Sequence, residues 1–180
     1  MELFIKYSET GLFAGLTTFQ PENMTQRENP VIIMYTDGAA RGNPGPGGYG
    51  VVLLSGPHRK ELSQGFKITT NNRMELMAAV VGLEALKVGP CNVTIYTDSK
   101  YVADSVEKKW VFNWVKIRFK GKKNSDLWKR FLDVYERHTV KFVWVKGHAS
   151  IPENERCDQL AVAASFMPNL PEDTGYQPDN

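Results

Sequence analysis

VIIMYTDGAARGNPGPGGYG, residues 31–50, opens as a β-branched apolar run and closes in glycines and prolines. Val31 to Tyr35 reads as a buried central strand, since a short apolar run bounded by turn residues fits the interior of a sheet. The strand ends at Thr36-Asp37-Gly38, and the following AARGNPGPGG holds too much Gly and Pro for a regular element. Beyond it, Tyr49–Ser55 and, after a Gly56-Pro57 turn, His58–Thr70 read as two more strands. Residues 31–70 thus predict three consecutive strands in an antiparallel meander.

From Asn72 the period changes. Leu76, Ala79, Val80, Leu83 and Leu86 share one helical face until Gly89-Pro90 stops the helix. A short strand, Val93–Tyr96, ends in Thr97-Asp98-Ser99, and a helix begins near Ser99. Ser125–Arg137 predicts another helix through Leu127, Phe131, Leu132 and Tyr135, and Val140–Val145 a fifth strand. Pro152 suits the first turn of a last helix running from about Glu153 to Ser165. Strands followed by alternating helix and strand imply an α/β fold with a five-stranded mixed sheet, three antiparallel strands then two parallel, flanked by helices. In such sheets ligands gather at strand ends, where Asp37 and Asp98 both lie.

The chain has 180 residues, enough for one well-buried domain with short tails. A hydrophobic content of 42% with 23% charged residues excludes disorder and a membrane class. Cys91 and Cys157 make neither a disulfide framework nor a zinc-type cluster, and read as free thiols in a reducing compartment. Glu2, Lys6 and Glu9 break the pattern of a secretion signal, so a cytoplasmic location is expected. The net charge of +2 conceals a basic patch: seven Lys or Arg and no acid stand between Lys108 and Lys123. Residues 1–30 form an N-terminal extension to which no role is assigned, although Leu3, Ile5 and Tyr7 alternate as in a short strand. Residues 166–180 carry only acids among their charged groups and are expected to form a flexible tail.

Four acids invite a joint reading, and each has a plain structural role alone. Asp37-Gly38 fits a turn, Glu75 stands at capping-box offset from Asn72, Asp98 precedes a helix as an N-cap would, and Asp158 gains from a helix dipole. Together, two acids end strands and two sit on the first and last long helices. Four converging carboxylates repel unless a hard dication with oxygen ligands joins them, which means Mg²⁺ or Mn²⁺. Such a set fits a two-metal site clamping the attacking and leaving oxygens of a phosphoryl group. His148, in KGHAS, suits proton transfer or product release better than Mg²⁺ ligation, or it is a plain surface residue.

TDGAARGNPGPGGYG at 36–50, TTNNRMELMAAV at 69–80, YTDSKYV at 96–102 and WVKGHASIPENERCDQLA at 144–161 resemble bacterial ribonuclease H, type 1, over roughly Val31 to Ser165. The resemblance implies a ribonuclease H-like fold in a catalytic domain of residues 31–165. It implies hydrolysis of the RNA strand of RNA/DNA hybrids, leaving 3′-hydroxyl and 5′-phosphate ends. The family's metal-binding carboxylates fall on Asp37, Glu75, Asp98 and Asp158, holding two Mg²⁺ ions in the substrate complex with Mn²⁺ as alternative, and its catalytic-loop histidine falls on His148.

Residues 108–123 resemble the family's basic handle, shorter than in its best-known members. Its cations suit phosphates, and Trp110 and Trp114 suit the sugars of the DNA strand, with core packing the alternative for Trp114 and the favoured reading for Trp128. Asn43, Thr70, Asn71 and Asn72 match positions at the substrate groove, where the RNA 2′-hydroxyl is the label that tells the strands apart. Asn72 as a helix N-cap and Asn43 as a turn residue are the plainer readings. Lys100 stands where the family usually has Gln, so substrate contacts there should differ. A monomer acting on a hybrid duplex is expected. Two other readings are a nuclease of the same fold acting on another nucleic acid, as transposases and junction resolvases do, and a non-catalytic hybrid-binding module.

Overall fold

The computed structural model describes residues 28–147 and 149–178. The alternation at Leu3, Ile5 and Tyr7 lies outside the described residues, as does His148. Five strands, β1 (Val31–Ala40), β2 (Gly45–Ser55), β3 (His58–Thr69), β4 (Asn92–Thr97) and β5 (Thr139–Trp144), form one sheet in the order β3-β2-β1-β4-β5. β1 runs antiparallel to β2 and parallel to β4, β2 pairs antiparallel with β3, and β4 is parallel to β5. This is the mixed sheet expected from the sequence. Five helices accompany it: α1 (Asn71–Glu84), α2 (Lys100–Glu107), α3 (Trp110–Lys116), α4 (Ser125–Tyr135) and α5 (Pro152–Ser165).

The glycine- and proline-rich stretch departs from its sequence reading. β1 continues to Ala40 and β2 starts at Gly45, with Ala39 paired to Gly48 and Asp37 to Gly50, so only residues 41–44 form the turn. The reason is tertiary. α5 crosses β2 so closely that a Cβ on Gly50 would run into the Cys157 carbonyl oxygen, and one on Gly48 would lie 2.7 Å from that of Ala161. Glycine is required where helix backbone touches strand backbone, and this contact outweighs its poor strand propensity.

α1 and α4 cover the opposite face. Met34, Val51 and Ile95 from the strands meet Leu76, Val80 and Leu83 from α1 and Trp128 and Phe131 from α4, all within 0% exposure. α1 begins at Asn71 with Thr70 as N-cap, which corrects the reading of Asn72 as the cap and of Glu75 as its capping-box partner. Ser99, not Asp98, caps α2, accepting from the Val102 N–H at 3.4 Å. Asp158 lies in the second turn of α5, beyond the first turn where the dipole acts most strongly.

The acidic tail also differs from expectation. The Lys67 N–H donates to the Pro171 carbonyl at 2.9 Å, and Asp173 is buried, accepting from Arg73 Nε at 2.7 Å and from the Thr69 hydroxyl at 2.9 Å. Arg73, itself 2% exposed, holds Asp126 at the start of α4 with its other nitrogens. A fully buried guanidinium needs carboxylate partners, and the tail supplies one. Residues 171–173 are therefore part of the domain rather than a solvated run.

Candidate active site

The site is built where the carboxyl ends of β1 and β4 meet α1. Asp37 lies within β1, opposite Gly50, and not in a turn. Asp98 follows the last residue of β4, and Glu75 comes down from α1. The carboxylates of Asp37, Glu75 and Asp98 each bring an oxygen within 4.8 Å of the others. Asp158 stands outside this trio, on α5, close enough for its charge to act on Asp37. The approach of Glu75 depends on Gly38: a Cβ there would collide with the Glu75 backbone nitrogen.

Burial sets the electrostatics. Asp37 is 7% exposed and Glu75 6%. Burial first, then the charges of Asp98 and Asp158, push the Asp37 carboxyl from 3.8 up to about 8, although the Gly38 N–H donates to its Oδ1 at 2.7 Å. Burial, with Asp37 and Asp98 adding, pushes Glu75 well above the usual carboxylate range. Glu75 Oε1 accepts from Asn71 Nδ2 at 3.4 Å, while its buried Oε2 has no hydrogen-bond partner among the described residues. Such an oxygen carries a desolvation cost that a cation would offset. Oxygen-only ligands, buried and mutually repelling, suit a hard dication. The one thiol nearby, Cys157, is buried and its pKa is raised, so it stays protonated and is no nucleophile.

Asn43 Oδ1 accepts from the Asn71 N–H at 3.1 Å, joining the β1–β2 turn to the start of α1. Asn43, Thr70 and Asn72 line a 580 Å³ cleft with Lys122 and Lys123 from the end of the basic segment. Tyr176 and Gln177 close its far wall. Sequence reading did not single out these two, because it read residues 166–180 only as an acidic tail. Trp110 is 43% exposed, whereas Trp114 packs edge-on against the buried Trp128 with Lys122 over its ring. Of the two, Trp110 is the more exposed, with Lys108 over its ring. Lys100 lies over the half-exposed ring of Trp144, a residue the sequence did not single out.

A mixed sheet flanked by helices, with three acids meeting at the ends of β4 and α1 against β1, defines a class of protein with a site suited to a metal ion. The RNase H family model matches residues 29–166. A ribonuclease H of Desulforamulus reducens is 61% identical over 147 residues, which cover 79% of this chain and 92% of that one. Among solved structures, LC9-RNase H1, a type 1 RNase H with the type 2 active-site motif, superposes with a TM-score of 0.69 at 30% identity, covering 76% of this chain and 72% of that one. LC11-RNase H1 in complex with RNA/DNA hybrid superposes with a TM-score of 0.56 at 29% identity over 74% of this chain and 95% of that one. The chain belongs to the ribonuclease H family and is an endoribonuclease, of a metal-dependent kind. Among the described residues no helix is long and apolar enough to cross a membrane.

Proposed function

We propose that the chain hydrolyses the RNA strand of RNA/DNA hybrids, leaving 3′-hydroxyl and 5′-phosphate ends, with Asp37, Glu75, Asp98 and Asp158 holding two Mg²⁺ ions and Mn²⁺ able to replace them. The observation that carries this reading is the meeting of three acids from β1, α1 and the end of β4, with one buried Glu75 oxygen that has no partner among the described residues. The ions, when bound, supply a polarised phosphate and a water acidified toward neutral pH. Asp37, whose carboxylate meets those of Glu75 and Asp98, would be a ligand common to the bound ions. Glu75, which accepts from Asn71 Nδ2, would serve the leaving-group side, Asp98 would serve the side of the attacking water, and Asp158 would complete the ligands there. His148 takes up a proton or helps to release the cleaved phosphate. Asn43, Thr70, Asn71 and Asn72 line the groove, positioning the DNA phosphate and the RNA 2′-hydroxyl, and Trp110 lies against a sugar. Lys100 meets a phosphate.

Residues 31–165 with the docked tail form the catalytic unit, a cytoplasmic monomer whose two buried free cysteines suit a reducing compartment. Labelled hybrid, double-stranded RNA and double-stranded DNA incubated with Mg²⁺, and in parallel with Mn²⁺, test the reading. Cleavage confined to the RNA strand of the hybrid is expected. Cleavage of DNA with the hybrid left intact would overturn it in favour of a transposase- or resolvase-like activity, and binding of the hybrid without cleavage in favour of a non-catalytic module.

A further inference from the structure

Trp144 is the last residue of β5 and pairs with Thr97, the last of β4. Its ring is 44% exposed, yet its indole N–H is engaged: Nε1 donates to the Asp98 carbonyl oxygen at 2.9 Å. The Val145 N–H donates to the Thr97 carbonyl at 2.9 Å, and the Ser99 N–H to the Thr97 hydroxyl at 3.2 Å. Asp98 therefore leaves the sheet between fixed neighbours, and the indole reaches across from β5 to hold its backbone. Immediately after, Gly147 passes so close to Asp98 that a Cβ would lie 2.7 Å from Oδ2. The tie thus sets both where the carboxylate stands and where the following loop departs.

The other face of the ring holds a cation. Lys100 Nζ lies 4.7 Å from the Trp144 ring centroid. A lysine two residues from Asp98 and close to a cluster of acids would be expected to pair with them and so compete with a metal ion. Among the described residues it has no carboxylate partner. The indole face attracts the ammonium through its quadrupole and keeps it exposed. A cation held beside buried acids, but not neutralised by them, is placed for an anionic ligand.

Resting on the function proposed above, we infer that Trp144 and Lys100 act as one unit, in which the indole N–H positions Asp98 through its carbonyl and the indole face presents the Lys100 ammonium to a phosphate of the bound hybrid. Trp144 is a positioning residue, and Lys100 the contact it aims. The two faces of the ring separate by substitution. Trp144→Phe keeps an aromatic face and removes the N–H, Trp144→Ala removes both, and Lys100→Gln removes the charge.

Hybrid affinity is read by fluorescence anisotropy across a salt series, with each substitution placed in the inactive Asp37→Asn chain. Mg²⁺ dependence and cleavage are read in the otherwise unaltered chain, and thermal melts confirm folding. Lys100→Gln lowers the slope of log affinity against log salt by about one, and Trp144→Ala weakens binding about two- to five-fold. Trp144→Phe keeps affinity within about two-fold and raises the half-saturating Mg²⁺ concentration by about three- to ten-fold, as expected for one lost hydrogen bond. An unchanged salt slope in Lys100→Gln, or an unchanged Mg²⁺ requirement in Trp144→Phe, overturns the unit. If Trp144→Ala does not fold, Trp144→Phe and Lys100→Gln decide. Failure of the unaltered chain to cleave hybrid would instead overturn the function beneath it.

Discussion

Substituting Asp37→Asn should stabilise the metal-free protein while abolishing its activity, and the stabilisation should grow with pH. Asp37 rises from 3.8 to about 8 because it is buried and faces Asp98 and Asp158. Between these values the folded state keeps a proton that the unfolded chain releases. Because the unfolded state binds fewer protons, stability falls as pH rises through the window, by at most about 1.4 kcal/mol per unit. Below pH 4 both states are protonated and the penalty vanishes. Above about 8 it is fully present. Asparagine matches the protonated acid in shape, can still accept from the Gly38 N–H, and does not titrate. The gap in unfolding free energy between Asp37→Asn and the unaltered chain should therefore widen by about 3 kcal/mol from pH 5 to pH 8. Urea unfolding in EDTA at the two pH values measures it. Adding Mg²⁺ should raise the midpoint of the unaltered chain and leave that of the variant almost unmoved, since a ligand stabilises only the state that binds it. A gap that is constant with pH, or a variant less stable at pH 8, would refute the claim that the acids repel one another in a buried site.

Asp173→Asn should lower stability by about 3 kcal/mol, because it leaves the buried Arg73 guanidinium short of one charged partner, and thermal melts would show it. A loss below about 0.5 kcal/mol would mean that the tail does not hold Arg73. Trp110→Ala should weaken hybrid binding by about 1 kcal/mol with stability nearly unchanged, whereas Trp114→Ala, losing its packing on Trp128, should cost about 2–3 kcal/mol of stability. Equilibrium unfolding and anisotropy on the same samples separate the two.

The elements that repeat a period were legible. β5 and α5 lie within a residue or so of their expected bounds, and Pro152 sits in the first turn of α5 as its missing N–H allows. Asp98 was legible just past the end of β4, whereas the strand end expected at Asp37 is not there, since β1 runs on to Ala40. What failed were readings in which local chemistry was overruled from a distance. The tail was read only by its excess of acids, whose partners Lys67 and Arg73 stand about a hundred residues earlier and out of sight of any local reading. Trp144 was not singled out, because only the pairing of β5 with β4 brings its indole to Asp98.

The clearest case is Asp37-Gly38 itself. Asp-Gly is a strong turn signal, and a glycine after an acid normally announces a reversal. Here the pair sits inside β1, with Gly38 opposite Tyr49, and the chain does not turn for several residues. The glycine is needed for what approaches it: the backbone of α1 at Met74 and Glu75 occupies the space of the absent Cβ. That contact lets Glu75 come down to Asp37 in a buried site, where burial first and then the Asp37 charge raise the Glu75 carboxyl. Acid and glycine form one device, in which the missing methyl sets the distance between two carboxylates. Gly38→Ala would separate them by pushing α1 off the strand, so loss of metal binding and loss of stability should arrive together.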